Sequence, residues 1–165
     1  MARGAILSDD GLYRYALTRE WDTGPTATFI MLNPSTADAY SDDATIRRCV
    51  NYARSWGCGA LLVVNLYGLR ATDPRELWKA KDPVGPECDV HIVEAVGMAR
   101  ESGGPVVAAW GAHARPDRIA AVLELPGIQP LSALAVTATG QPRHPLYLRR
   151  GLTPQPWTVP GKAAA

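Results

Sequence analysis

The sequence predicts an α/β protein, a three-layer α/β/α sandwich with a central, mainly parallel four-stranded sheet and an additional N-terminal edge strand. The alternation of two kinds of segment supports this fold class. Short apolar runs, typical of strands buried on both faces, alternate with stretches of helical spacing; the runs lie at 28–32, 60–65, 105–111 and 134–137. Strands that alternate with helices form parallel sheets covered on both faces and joined by right-handed crossovers.

The N-terminal half contains the clearest strand–loop–helix unit. The alternating stretch at 13–19 predicts the edge strand, and the apolar run at 28–32 predicts a central strand. The central strand ends at the loop that contains Pro34, because proline cannot continue a hydrogen-bonded ladder. The acidic pair at 42–43 then predicts a helix N-cap, and Gly57 predicts the end of that helix.

The rest of the chain repeats the alternation. The run at 60–65 predicts a second buried strand, and the runs at 105–111 and 134–137 predict the third and fourth. Helical spacing predicts the intervening helices, at 75–79, 90–100 and 117–125. Strands of this kind place ligands at their carboxyl ends, so we expect the functional site at that edge of the sheet.

Length and composition set the outer limits. A chain of 165 residues is expected to form one domain at 1–158, with a flexible C-terminal tail at 159–165. The net charge of +1 excludes a surface that is basic throughout but is compatible with a local basic patch. Three cysteines without C-x-x-C spacing argue against a disulfide framework, a zinc ribbon and an iron–sulfur cluster.

The expected surroundings of the protein follow from its apolar runs. None approaches the length of about 18 residues that a membrane span requires, so no membrane contact is expected. The first residues lack the pattern of a signal peptide, which favours a cytoplasmic location. No feature of the sequence indicates an obligate protein partner.

Most catalytic signature motifs are absent from the sequence. It contains no phosphate-binding P-loop, no nucleophile elbow and no H-E-x-x-H zinc motif. Asp38, Asp42 and Asp43 have the oxygen ligands that Mg²⁺ prefers, but helix capping and loop solvation explain them more simply. We therefore expect no metal and no cofactor.

Four polar residues stand where the four predicted strands end. Asn33, Asn65, His113 and His144 follow the strands in chain order. Because the carboxyl ends of parallel strands meet at one edge, these side chains are expected to converge. Two amides and an imidazole can hold a polar planar ligand by donor–acceptor pairing, and an imidazole can also stabilise developing negative charge.

Several distinctive motifs extend along most of the chain: YRY at 13–15, MLNPSTA at 31–37, DDATIRRC at 42–49, NL at 65–66, RATDP at 70–74, AWG at 109–111 and PRHPLYL at 142–148. Together they resemble a small bacterial and phage family that carries only a label of unknown function. This resemblance covers nearly everything up to Trp157 and implies no activity.

Four segments also resemble, in the same order, motifs of the uracil-DNA glycosylase superfamily. LNPS at 32–35 is similar to the Gly-Ile-Asn-Pro-Gly motif, whose asparagine positions the attacking water. The run at 61–65 resembles the strand whose terminal asparagine reads the base. AWGAHA at 109–114 looks like its Leu-Trp-Gly-Ser-His-Ala strand, and RHPL at 143–146 looks like its His-Pro-Ser loop. That loop stabilises the leaving base and wedges the duplex. The resemblance implies the superfamily's four-stranded α/β/α fold.

This resemblance implies a monofunctional DNA glycosylase, a repair hydrolase that flips a modified or deaminated base out of DNA and cleaves its N-glycosidic bond. Its catalytic residues would be Asn33 and His144, and its base-binding residues Pro34, Ser35, Asn65 and His113. Contacts to nucleic acid would come from Arg47, Arg48, Arg143, Leu146, Tyr147, Arg149 and Arg150. Leu146 replaces the serine that contacts a phosphate in that superfamily.

Two other functions stay open on the sequence. One is an enzyme that acts on free nucleosides or nucleotides with the same pocket and no duplex contact. The other is a catalytically silent module that recognises a base or a modified nucleic acid. Salt-dependent affinity for DNA separates the first from a DNA glycosylase, and release of a base separates the second.

Overall fold

The structure, a computed structural model, describes residues 1–35 and 37–161. Thr36 in the polar loop and the last four residues of the predicted tail at 159–165 lie outside this part. The elements in chain order are β1 (Ala2–Leu7), β2 (Arg14–Glu20), β3 (Thr26–Met31), α1 (Ala44–Ser55), β4 (Ala60–Asn65), α2 (Arg75–Lys79), α3 (Cys88–Ser102), β5 (Val106–Ala108), α4 (Pro116–Leu123), β6 (Leu131–Ala133), a 3₁₀ turn (Pro145–Tyr147) and β7 (Gln155–Trp157).

Seven strands of the described residues form one mixed sheet in the order β1-β2-β4-β3-β5-β6-β7. The inner strands β4, β3, β5 and β6 pair in parallel, whereas β1, β2 and β7 join antiparallel to their neighbours. The α/β class is confirmed, but the prediction of a mainly parallel four-stranded sheet is wrong. Half of the strand pairings are antiparallel, and they lie at the two sides of the sheet.

The strand predicted at 13–19 exists as β2, but its predicted place at the edge is wrong. The first strand covers it, with Ala2 opposite Glu20 and Ile6 opposite Ala16. The residues of β1 are exposed or half-buried, so they lack the alternating apolar pattern that predicts a strand. Pairing with β2, and not a pattern of its own, makes this segment a strand.

One prediction near the C-terminus is also wrong in detail, and one strand there was not predicted. The fourth strand was expected at 134–137, but β6 occupies Leu131–Ala133 and ends before that run. β7, which contains Pro156, pairs antiparallel with β6. Trp157 anchors it, since its indole Nε1 donates to the Gly140 carbonyl at 2.9 Å. These pairings join segments far apart in sequence, and proline is a signal against a strand, so local patterns miss them.

Helices cover both faces of the sheet. The face that carries Phe29 and Val63 packs against α1, and the face that carries Ile30 and Val64 packs against α3 and α4. Alternate residues of each inner strand therefore enter different halves of the core. None of the described helices is long and apolar enough to cross a membrane.

The predicted N-cap of α1 is confirmed at Asp43, whose carboxylate accepts a hydrogen bond from the Ile46 backbone N–H at 2.9 Å. Trp56 caps the other end, and Gly57 follows with φ of 78°, a conformation that favours glycine. The helix thus begins and ends where the sequence predicts. Its N-terminus points to the carboxyl edge of the parallel strands.

Candidate functional site

A pocket of about 500 Å³ opens at the carboxyl ends of β3, β4 and β5, beside the N-terminus of α1. We call it the main pocket. Of the residues that the sequence predicts for the site, it is lined by Asn33, Ser35, Asn65, His113, Arg143, His144, Leu146 and Tyr147. Pro34 is buried next to it and does not line it.

Asn33 is held in one orientation by its own amide. Its Nδ2 donates to the Ala71 carbonyl at 2.8 Å and to the Pro34 carbonyl at 3.0 Å. Both amide hydrogens are therefore used inside the protein. Oδ1 accepts no hydrogen bond from the residues that the structure describes, and it is the atom left to bind water or a ligand.

Asn65 is the last residue of β4 and lies on the same face of the strand as Leu61 and Val63. Only 2% of it is exposed, and its Nδ2 has no hydrogen-bond partner among the described residues. An amide buried in this way costs about 1–3 kcal/mol unless it is paired. A ligand with an acceptor atom in the main pocket would remove that cost.

The backbone around Asn65 is fixed from behind. The Cys88 thiol donates to the Asn65 carbonyl at 3.2 Å, and Arg118 Nε donates to the Leu66 carbonyl at 2.7 Å. Arg118 in turn forms an ion pair with Asp89 at 2.6 Å. Burial raises the pKa of the Cys88 thiol to about 11, so this thiol is a protonated donor at neutral pH and not a nucleophile.

His144 has a defined tautomer. Its Nδ1 accepts a hydrogen bond from the Leu146 backbone N–H at 3.2 Å, which places the proton of the neutral ring on Nε2. The side chain is half-buried, and burial lowers its pKa. A neutral imidazole whose Nε2–H has no partner among the described residues is thus available to donate into the main pocket.

We expect titration to give His144 a pKa below the ordinary histidine value of about 6.5, because burial penalises the imidazolium. The Asp43 carboxylate opposes this shift as the smaller effect. The free energy of unfolding should decrease as the pH falls below about 6.5, because His144 binds a proton more tightly in the unfolded chain than in the folded protein. NMR titration of the imidazole signals, with His144→Gln to assign them, measures the pKa. A pKa for His144 at or above about 6.5 would contradict the proposed burial effect.

The loop that carries His144 is joined to the end of β5. The Gly111 backbone N–H donates to the Pro142 carbonyl at 2.8 Å. Gly111 has φ of 77°, and a Cβ built there would lie 3.7 Å from the Cβ of His144. Glycine is therefore required for the backbone conformation, and not to make room for the imidazole.

Beyond His144, the chain is attached to α1 by three side chains. Arg48 Nη1 donates to the Leu148 carbonyl at 3.0 Å, and Trp56 Nε1 donates to the Leu152 carbonyl at 2.9 Å. The Tyr52 hydroxyl donates to the backbone carbonyl of Arg149. Since α1 also borders the main pocket, these bonds hold His144 in register with the strand ends.

Apolar and basic side chains form the rim of the main pocket. Tyr147 is 83% exposed, and Leu146 beside it is half-buried. His113 and Arg143 are exposed as well. An exposed aromatic residue and arginine at the mouth of a polar pocket suit contact with a nucleobase and a phosphate.

A second cavity of about 440 Å³ lies along the other side of the first turns of α1. Arg47, Arg48 and Arg150 line it, with Asn51 and Tyr52, and we call it the arginine groove. None of the three guanidinium groups belongs to an ion pair of the described residues. Three positive charges without carboxylate partners favour binding of an anion here.

The five arginines predicted to contact nucleic acid are divided between the two cavities, except for one, while Leu146 and Tyr147 line the main pocket. Arg143 lines the main pocket, and Arg47, Arg48 and Arg150 line the arginine groove. Arg149 is exposed and lines neither cavity. The two cavities are neighbours, since consecutive residues of α1 line one or the other.

The three carboxylates considered for Mg²⁺ are engaged within the loop before α1. Asp38 accepts from the Tyr40 and Ser41 backbone N–H groups at 2.7 and 2.9 Å, and Asp42 pairs with Arg19 at 2.8 Å. Asp43 caps α1. No group of three or more metal-binding side chains is found in the part of the chain that the structure describes.

Two arginines of β2 were not predicted as part of the site. Arg14 is 3% exposed and lines the main pocket. Arg19 is fully buried and holds the loop before α1, donating to Asp42 and to the carbonyls of Asp38 and Ser41. Arginine in an alternating strand normally indicates a solvent-facing position, so the sequence contains no local signal of these roles.

Together these groups can hold a polar planar ring and act on a bond next to it. Asn33 offers an acceptor, Asn65 an amide nitrogen without a partner among the described residues, and His144 a neutral N–H donor. Such donors stabilise negative charge that develops on a ligand, because they are already oriented.

No curated protein and no solved structure matches this chain. The family described as "Protein of unknown function (DUF1643)" matches residues 14–146. This segment contains every residue that lines the main pocket except Tyr147. The chain belongs to the DUF1643 family of proteins of unknown function.

Proposed function

We propose that the protein is a DNA glycosylase-like hydrolase that removes a modified or deaminated base from DNA. The observation that carries this proposal is that Asn33, Asn65 and His144 line one pocket at the carboxyl edge of parallel strands. Their order along the chain is that of the corresponding motifs in the uracil-DNA glycosylase superfamily, which the sequence resembles. The parallel pairing of β4, β3, β5 and β6 is a further argument for this likeness.

In the proposed reaction, the pocket receives a base that has been flipped out of the duplex. Asn65 pairs with the edge of the base, and His144 Nε2–H donates to the carbonyl oxygen of the base on which negative charge develops. Asn33 Oδ1 accepts a hydrogen bond from the attacking water and orients it. An amide is a poor general base, so turnover is expected to be slow.

DNA would lie across both cavities. Tyr147 or Leu146 at the rim is placed to fill the gap that the flipped base leaves, and the arginine groove would contact the phosphates of the strand. An enzyme of this kind would act in the cytoplasm, the location expected from the sequence.

Replacing Arg47, Arg48 and Arg150 with alanine should weaken duplex binding and reduce its salt dependence. Each phosphate contact that is lost should reduce the slope of log K against log salt by about 0.9. Fluorescence anisotropy with a labelled duplex at several salt concentrations measures both quantities.

The matched control removes three positive charges elsewhere, at Arg75, Lys79 and Lys81. These side chains are exposed and line neither cavity. The control variant should retain most of the affinity and the slope of the parent. Equal losses of affinity and slope in the two triple variants would mean that binding depends only on the net charge of the protein. The arginine groove would then not be a DNA-binding site.

The direct test of the function is release of a free base. The protein is incubated with single-stranded and duplex DNA that carries a panel of modified and deaminated bases, and mass spectrometry identifies any base released. Release from one member of the panel, with the corresponding abasic strand, is the expected result. Release only from free nucleosides would favour the nucleoside enzyme, and binding without release would favour the recognition module.

A further inference from the structure

Arg14 is a buried cation whose hydrogen bonding is incomplete. Its Nη1 donates to the Ala37 carbonyl, but its Nε has no partner among the described residues. It belongs to none of the ion pairs found there. Burial lowers the pKa of its guanidinium to about 10, so the group is still charged at neutral pH. A buried charge of this kind is costly unless something else neutralises it.

Arg14 shares the main pocket with the incompletely paired amide of Asn65. His144 adds a third donor, and α1 points its positive N-terminal end at the same place through Thr45. Among the residues that the structure describes, the one carboxylate that lines the pocket is Asp43, which caps α1. Positive charge thus exceeds negative charge among the described residues of this pocket, with Arg14 and Arg143 against Asp43.

We propose that Arg14 is a ligand-binding residue and that the main pocket selects a planar heterocycle whose carbonyl oxygens carry negative charge. This inference rests on the proposed function, because the glycosylase reaction produces such an anion. The C–N glycosidic bond breaks and its electron pair leaves with the base. The oxygen of water forms the new bond to the sugar carbon, and its proton goes to solvent. Arg14 and Asn65 then stabilise the charge on the base together with His144.

The test uses calorimetric titration of the full chain with three probes at constant ionic strength. Barbiturate is a planar pyrimidine that is an anion at neutral pH, uracil is a neutral ring of similar shape, and inorganic phosphate is an anion without a ring. Barbiturate should bind about tenfold or more tightly than uracil, as expected for a charge-assisted contact. Phosphate should neither bind comparably nor displace barbiturate.

Arg14→Gln should abolish most of the preference, because it should lower the affinity for barbiturate much more than the affinity for uracil. Arg70→Gln is the matched control. Arg70 lies close enough to influence the pKa of Arg14 but does not line the pocket, so its loss should preserve the preference. If Arg14→Gln does not fold, Asn65→Asp decides, because it replaces an N–H donor with a negative charge in almost the same shape. That variant should lose the preference as well.

Several results would overturn the inference: equal affinity of the parent for barbiturate and uracil, equal binding of phosphate, or a preference that survives the Arg14 and Asn65 substitutions. The outcome is separable from the proposed function. A preference for barbiturate without release of any base would support this inference and contradict the glycosylase. Release of a base without a preference for barbiturate would support the glycosylase and contradict this inference.

Discussion

His144→Ala is expected to slow base release by about 100-fold or more, the usual effect of removing a donor that stabilises developing negative charge. In the proposed reaction, the hydrogen bond from His144 Nε2–H to the base becomes stronger only as the base takes up negative charge. Affinity for the substrate DNA should therefore change by less than about tenfold. Single-turnover release of the base, measured beside a binding curve, separates the two effects.

His91→Ala is a suitable control for this prediction. His91 is a half-buried histidine of α3 that stacks on Tyr15 with ring centroids 5.3 Å apart and does not line the main pocket. Its variant should release base at close to the parental rate. If His144→Ala does so too, the catalytic role of His144 is wrong. If the parent protein releases no base from any substrate, the glycosylase proposal is wrong.

Arg19→Met should destabilise the protein by about 3 kcal/mol, the lower range for breaking a buried ion pair. The Arg19 side chain is 0% exposed, and its Nε lies 2.8 Å from Asp42. Its Nη2 also holds the carbonyls of Asp38 and Ser41, so the loop before α1 loses several hydrogen bonds at once. Urea denaturation gives the free energy of unfolding for parent and variant.

Arg3→Met provides the matched comparison, because Arg3 pairs with the same carboxylate from outside. Its nearest contact to Asp42 is 3.4 Å, and its side chain is 37% exposed. The loss for this variant should stay within about 1 kcal/mol, as for exposed ion pairs. Similar losses for the two variants would mean that burial of Arg19 contributes little. The Arg19 variant should also bind ligand more weakly, since the loop that it holds leads to Asp43 at the main pocket.

The local elements of the fold were predictable from the sequence. β4 spans Ala60–Asn65 as its apolar run indicates, and α2 spans Arg75–Lys79. Asp43 begins α1 in the predicted way. These elements depend on signals a few residues apart, such as a continuous apolar run, a capping carboxylate or a proline. Such signals act before any distant contact forms.

The order and number of strands were decided only by the tertiary structure. β1 and β7 have no strong strand pattern of their own, and each forms because a partner strand offers unpaired backbone groups. The apolar run after Pro130 is longer than β6, and pairing with Val107 and Trp157 determines which three residues join the sheet. No local pattern contains that information.

In the candidate site, too, some residues were predictable from the sequence and others only from the tertiary structure. Asn33, Asn65 and His144 were identified from the sequence because each follows an apolar run, and parallel strands bring their carboxyl ends to one edge. Arg14 and Arg19 were not, because an arginine in an alternating strand looks the same whether its face is wet or buried. Both side chains donate to carbonyls of the loop before α1, and the packing of that loop against β2 buries both guanidinium groups. Burial is a property of the assembled layers, so only the tertiary structure turns these two side chains into parts of the pocket and its support.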